Sequence, residues 1–254
     1  MKRAFCFKMI ARCVAVCLLI NAANAFAPES VFSSGTRSVT LSSDHIVSAH
    51  GGAQVLASVR TAEFEFVRIT PTRGPDSFEH KVVVSTSGSM FRRYAVGAEG
   101  SDRRIEVFDG NAAFSGSPES SGGQQWQPMD ENRLRAVKFI IVTCNLLHFL
   151  QQLVNRTAEV LFQEATQGGL YRFDVRTGNW NGALYTDRTG LIKQIEIGER
   201  VFQFAAYRQV EGVRLPLVVR VFYKRVVFEM FFVRISLNPD FPPFRFSPVL
   251  GDDE

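Results

Sequence analysis

Cysteine is nearly missing from this chain. Of the four among 254 residues, Cys6, Cys13 and Cys17 lie close to the N-terminus and only Cys144 lies beyond them. A single thiol forms no internal disulfide, so a hydrophobic core must hold the fold unaided. Metal-ligand clusters are lacking too. His45 and His50 stand five apart, which does not place them on one helix face, and no Cys or carboxylate set completes a site. The four histidines, His45, His50, His80 and His148, are therefore expected at the surface or on a helix's polar stripe. No nucleophile elbow and no phosphate loop occurs, which argues against an enzyme and against a cofactor. Long apolar runs are absent as well: none reaches the roughly 20 residues that a membrane-spanning helix needs.

The basic excess is also less than it looks. Lys2, Arg3, Lys8 and Arg12 precede a short apolar segment, Cys13 to Ile20, and Ala23-Asn24-Ala25 is a small-x-small site. This is the pattern of a secretory signal peptide cleaved after Ala25. Neither Cys13 nor Cys17 follows a small residue, so lipidation is not expected. Removing residues 1–25 takes four basic and no acidic side chains, and the balance moves from 29 − 25 = +4 to 25 − 25 = 0. A nucleic-acid partner then loses its electrostatic support. The expected location is the periplasm or the exterior, and the remaining 254 − 25 = 229 residues suffice for one large domain.

What is present is phenylalanine, 23 of them, set in alternating runs. Residues 26–42, rich in Ser, Pro and Gly, read as a flexible leader. A helix capped by Ser43 or Asp44 carries Ile46, Val47, Ala49, Val55 and Leu56, with Gly51-Gly52 marking a bend or a close approach to the sheet. Thr61–Thr70 alternates Glu63 and Glu65 with Phe64 and Phe66, which predicts a half-buried strand with the two carboxylates solvated rather than catalytic. Hairpins are expected around Ser87-Gly88-Ser89 and Asp109-Gly110-Asn111. Residues 115–125 form a low-complexity loop.

From Asp130 to about Leu153 the period turns helical. Arg135, Lys138, Asn145, His148 and Gln152 fall on one narrow stripe, and the rest is apolar, so this helix must be covered on most sides. Cys144 lies within it and reads as a buried thiol. Seven strands follow, at about 157–165, 169–176, 181–187, 190–197, 200–208, 213–222 and 225–236. Within them Tyr185 to Pro216 writes three tight turns, at Asp187–Gly190, Ile197–Arg200 and Val210–Gly212. Short turns mean antiparallel pairing. The expected fold is α+β: a large curved antiparallel sheet of about 11–12 strands with helices covering its concave face. One domain is expected over 43–250.

The last strand is apolar on both faces. Val226, Phe228, Met230 and Phe232 line one; Val227, Phe231, Val233, Ile235 and Leu237 line the other, broken only by Glu229. Such a strand is normally enclosed between two layers. Two readings remain open: a plain Phe-rich core, or an apolar cavity under the hydrophobic helix. The second would be lined by Phe64, Phe66, Phe139, Val142, Leu146, Phe149, Phe202, Phe204, Phe228 and Met230. Trp126 and Trp180, both near turns, fit a ligand rim or ordinary packing. Asn155-Arg156-Thr157 fits a glycosylation sequon, relevant only to a eukaryotic secretory route.

Several dispersed motifs resemble one family. They are the Gly51-Gly52 helix leading into Thr61–Phe66, Val107-Phe108-Asp109-Gly110, Tyr185-x-Asp187-x-Thr189-Gly190-Leu191, and Tyr207-Arg208-x-Val210-x-Gly212-Val213-x-Leu215-Pro216. Asn238-Pro239 and Phe246-x-Pro248 complete the series. In order and spacing they resemble the LolA/LolB superfamily of periplasmic lipoprotein carriers, with the lipid-sensing domain of RseB-type proteins and the mycobacterial LppX/LprG proteins as relatives. The resemblance implies an unclosed β-barrel plugged by helices. It also implies transport or sequestration of lipid or lipoprotein acyl chains in the cell envelope, by a monomer without chemistry, in exchange with an envelope membrane protein. The alternatives are an envelope sensor or interaction module that docks a partner protein and, more remotely, an exported hydrolase.

Overall fold

The computed structural model describes residues 41–70, 74–75, 80–85, 88–96, 102–116, 126–134, 137, 146–178, 181–223 and 226–240. All of them belong to one compact unit, Thr40–Glu254. The expected signal peptide, most of the 26–42 leader, Phe139, Val142, Cys144, Trp180 and Phe246–Pro248 lie outside the described residues.

Helices α1 (Ser43–Ala49), α2 (Ala53–Ser58) and α3 (Leu146–Val154) are described, and residues 131–134 and 137 are helical as well. The first wing of the sheet is β1 (Thr61–Thr70), β2 (Gly74–Pro75), β3 (His80–Ser85), β4 (Met90–Val96), β5 (Asp102–Phe108), β6 (Ala113–Gly116) and β7 (Gln127–Pro128). The second is β8 (Glu159–Ala165), β9 (Tyr171–Arg176), β10 (Asn181–Thr186), β11 (Ile192–Ile197), β12 (Arg200–Val210), β13 (Val213–Tyr223) and β14 (Val226–Leu237). Their order is β7-β6-β5-β4-β3-β1-β14-β13-β12-β11-β10-β9-β8, with β2 paired to β1, and every pairing is antiparallel. The ends β7 and β8 do not pair with each other, so the sheet stays open. This is the curved antiparallel sheet with helices on one face that the short turns predict.

The turns are built by local chemistry. At Asp109 the carboxylate accepts hydrogen bonds from Asn111 N and Ala112 N, each 2.8 Å, while Gly110 takes φ +105°. Asp187 Oδ1 likewise accepts from Thr189 N and Leu191 N at 2.9 and 3.2 Å. These side chains satisfy backbone donors that the reversal would otherwise strand.

One helical segment is expected over 43–56, but Gly51-Gly52 divides it. Gly52 sits at φ +87° as the residue preceding α2, and a side chain on Gly51 would collide with the Gly212 carbonyl oxygen. The glycine pair thus supplies both a bend and a close approach. Asn238, at φ +45°, finishes the junction: its Oδ1 accepts from Arg60 N at 2.7 Å and its Nδ2 donates to the Ser58 carbonyl at 3.1 Å.

Three expectations need correction. Glu63 is only 9 % exposed and pairs with Lys81 at 2.9 Å rather than standing free in solvent. His50 and His80 are buried, not at the surface. The two-faced apolar pattern of β14 comes from a bulge. Glu65 pairs with Arg234 and the next residue, Phe66, with Phe232, leaving Val233 as the extra residue. A one-residue slip exchanges faces. Phe228, Met230 and Phe232 before the bulge therefore share a face with Ile235 and Leu237 after it.

Candidate ligand-binding site

The face beneath the helices is written in rows across the strands. Phe162, Phe173, Leu184, Ile195, Phe202, Val221 and Phe228 are successive ladder partners from β8 to β14. Next to them run Phe204, Val219 and Met230. On the first wing Phe232 pairs with Phe66, Ile235 with Phe64 and Phe64 with Val82. Period-two alternation puts every member of a row on one side, so the row is apolar over seven strands.

Helix α3 lies on this face. Leu146, Leu147, Phe149, Leu150 and Leu153 are buried, and α1 and α2 pack beside it. Gln151 Nε2 donates to the Leu56 carbonyl at 3.0 Å and to that of Val59, tying α3 to the end of α2. His148 and Gln152, from the predicted polar stripe, bond to each other at 3.1 Å.

Of the ten residues read as a cavity lining, Phe139 and Val142 lie outside the described residues. Phe64, Phe66, Leu146, Phe149, Phe202, Phe204 and Met230 are all buried in one core, and Phe228 packs on its margin. Phe64 and Phe66 stack their edges on Phe232 at centroid distances of 5.3 and 5.6 Å. The fold therefore brings the eight described residues into one cluster, in contact with α1, α2 and α3. At the β8 end the cover stops: Phe162, a member of the long row, is 45 % exposed although its ring packs on Phe173 at 5.5 Å.

Among the described residues two cavities stand out, and neither is walled by α3. One, of about 220 Å³, is lined by Leu170, Lys193, Gln194, Gln203, Phe204, Ala205 and Arg220. Two of its polar residues are bonded to each other, Gln203 Nε2 donating to Gln194 Oε1 at 3.1 Å, and Gln194 Nε2 donates on to Glu196 Oε1 at 2.7 Å. The other, of about 260 Å³, lies between β13 and β14 and is lined by Arg208, Gln209, Val210, Leu217, Phe232, Val233, Arg234 and Ile235. Both are smaller than the 300–1,000 Å³ typical of sites for drug-sized ligands.

His50 was missed at the sequence level as a functional or structural residue. Its Nδ1 donates to the Arg214 carbonyl at 2.8 Å, Ile192 N donates to its Nε2 at 3.3 Å, and its own carbonyl accepts from Arg214 N at 3.1 Å. Tyr207 meets the ring edge-on at 5.6 Å and donates its hydroxyl to the Ile192 carbonyl. Burial lowers the imidazole from 6.5 to about 4, against the opposing hydrogen bond to Arg214. The neutral ring therefore seats the end of α1 on β11 and β13. Burial also holds Tyr207 well above its usual value. Nearby Asp187 is pushed up by burial, but hydrogen bonds from Thr189 and the Lys193 ammonium at 3.1 Å outweigh this and hold it below the ordinary carboxylate value. Among the described residues no group of three His, Cys, Asp or Glu side chains could hold a metal ion. No described helix is long and apolar enough to cross a membrane.

No protein-family profile and no curated protein sequence matches this chain. Solved structures do. A DUF1329 family protein from Desulfovibrio piger is 10 % identical over 81 % of this chain and 95 % of its own, with a TM-score of 0.48. A domain from Vibrio parahaemolyticus described as an outer membrane lipoprotein-sorting protein is 6 % identical over 79 % and 92 %, at 0.49. A LolA superfamily protein from Nitrosomonas europaea is 8 % identical over 82 % and 98 %, at 0.51. At such identities the likeness is one of fold, and the fold of this chain is LolA-like.

Proposed function

We propose that this protein is exported after cleavage of residues 1–25 and carries or sequesters lipid, or the acyl chains of lipoproteins, in the cell envelope as a monomer. The observation that carries the reading is the uninterrupted apolar row from Phe162 to Phe228 under a mainly apolar cover, with Phe162 left open at the sheet edge. In the described state the lining residues share one core with the apolar side chains of α1, α2 and α3, so a ligand would have to displace α3 and take its place in that core. Exchange with an envelope membrane protein would supply and remove the ligand.

The test is direct. Organic extracts of the protein purified from its native envelope, analysed by mass spectrometry, should contain a stoichiometric lipid. Extracts with no lipid above the level of an unrelated exported protein would overturn the reading.

A second reading, a sensor or interaction module, is favoured by β8. Among the described residues it is an edge strand, with Leu161 and Phe162 exposed on its two faces, and an open edge is where a partner strand can add. If docking rather than carriage is the role, Phe162→Lys should abolish co-purification of a partner while the lipid content stays at background. Partner recovery unchanged by that substitution would count against it.

A further inference from the structure

The cleft between β13 and β14 has a cause that can be traced residue by residue. The ladder between these strands runs from Tyr223↔Val226 to Val218↔Phe231, and among the described residues it goes no further. Beyond it three irregularities meet. Pro216 has no N–H to offer a ladder. Val233 is the bulged residue of β14. Ala206 stands at φ +53° opposite Leu217, between the pairs Ala205↔Val218 and Tyr207↔Pro216. Left-handed backbone is strained at alanine, and such strain tends to persist at functional sites. The far end closes again, where Leu237 N donates to Glu211 Oε1 at 3.3 Å.

The result is a slot of about 260 Å³ in the wall of the sheet. Its inner side carries Phe232 of the central core with Val210, Leu217 and Ile235 packed against that core, although polar atoms form the larger part of its exposed lining. Its rim is different. Arg208, Gln209, Val233 and Arg234 are exposed, and Val233 is 54 % accessible. Arg234 touches Glu65 only at 3.9 Å, and among the described residues no carboxylate pairs with Arg208. Two guanidinium groups beside a slot with this inner side complement a ligand with a negative head and a thin apolar tail. The volume is too small for a branched or multi-chain lipid as a whole.

We infer that the β13–β14 cleft is a binding site for an anionic single-chain amphiphile, its tail between Leu217, Phe232 and Ile235 and its carboxylate or phosphate head at Arg208 and Arg234. The inference extends the proposed carriage of apolar ligands by adding a second, lateral site that selects for charge. It does not need α3 to move.

Calorimetric titration of the full exported chain tests it with dodecanoate, dodecyl phosphate, neutral monolaurin, acetate and inorganic phosphate as probes. Dodecanoate and dodecyl phosphate should bind, and monolaurin about tenfold more weakly or less, as expected for loss of a charge-assisted contact. Acetate and phosphate should show no binding. Arg208→Gln with Arg234→Gln should bring the anionic probes down to the level of monolaurin. Val233→Trp, which obstructs the slot from an exposed position, should abolish binding of all three. Equal binding of dodecanoate to the parent and to both variants would overturn the site, as would acetate binding as well as dodecanoate. The outcome is separable from the main proposal: envelope lipid still recovered from Val233→Trp leaves carriage standing and places it elsewhere, whereas dodecanoate bound at the slot by a chain that yields no lipid leaves only the slot.

Discussion

Acidification should loosen this protein through His50 before the surface carboxylates matter. In the unfolded chain the imidazole titrates near 6.5, and in the fold burial holds it at about 4. A folded value below the unfolded one means that the unfolded state takes up the proton first. Stability is then fully present above pH 6.5, falls as pH drops from 6.5 towards 4, and levels off below that. At about 1.4 kcal/mol per tenfold change in proton affinity, the full effect is about 3 kcal/mol. That is a large share of the 5–15 kcal/mol typical of a domain. Urea denaturation of the parent and of His50→Gln, repeated across this pH range, isolates the effect. The substitution removes the titration, and whatever constant cost it carries does not vary with pH. The parent should lose about 3 kcal/mol more than the variant between pH 6.5 and 4. Parallel profiles would refute the reasoning, because they would mean that burial does not hold His50 neutral in the fold.

Other substitutions test the packing. Thr186 is fully buried and its hydroxyl has no hydrogen-bond partner among the described residues, so Thr186→Val should raise stability by about 1 kcal/mol in the same denaturation assay. Gly51→Ala should destabilise by about 3 kcal/mol or more, since it adds a collision with Gly212 to a φ of +124°, whereas Gly198→Ala, at φ +57° with open space around it, should cost only about 1 kcal/mol. Phe149→Asp should cost several kcal/mol if α3 is ordinary core, and should instead abolish lipid recovery with little change in melting temperature if α3 is a movable cover.

Much of the sheet is legible locally because its signals are local. Asp109-Gly110 and Asp187–Gly190 encode turns through their own side chains and glycines, and each hairpin follows from its turn. Gly51-Gly52 is legible as a break, although its partner, Gly212, is known only once the helices dock. What depends on distant residues is not legible. His50 looks like any helix-end histidine until Arg214 and Ile192, more than 140 positions away, close around it. Alternation in β14 misleads for a different reason: period-two reading assumes an unbroken ladder, and the bulge at Val233 exchanges the faces midway. Glu63 misleads because alternation tells which way a side chain points but not what meets it there. The candidate lining is legible as a set of apolar positions, and the eight described residues do converge. Alternation alone cannot say whether they converge as core or as a place for a guest.

The strand order carries a consequence for how the chain reaches this state. Each strand from β3 to β7 pairs with a near neighbour in sequence, and so does each from β8 to β14. Only β1 and β14 join the wings, bringing Ala62 to Leu237 across 237 − 62 = 175 residues. Local hairpins form quickly, and distant pairing is slow because the loop must first be closed. The two wings should therefore act as separable folding modules, with the β1–β14 seam as the late event. Two fragments divided between β7 and α3, mixed in solution, should reassemble through that seam together with the docking of α1 and α2 on α3, β11 and β13.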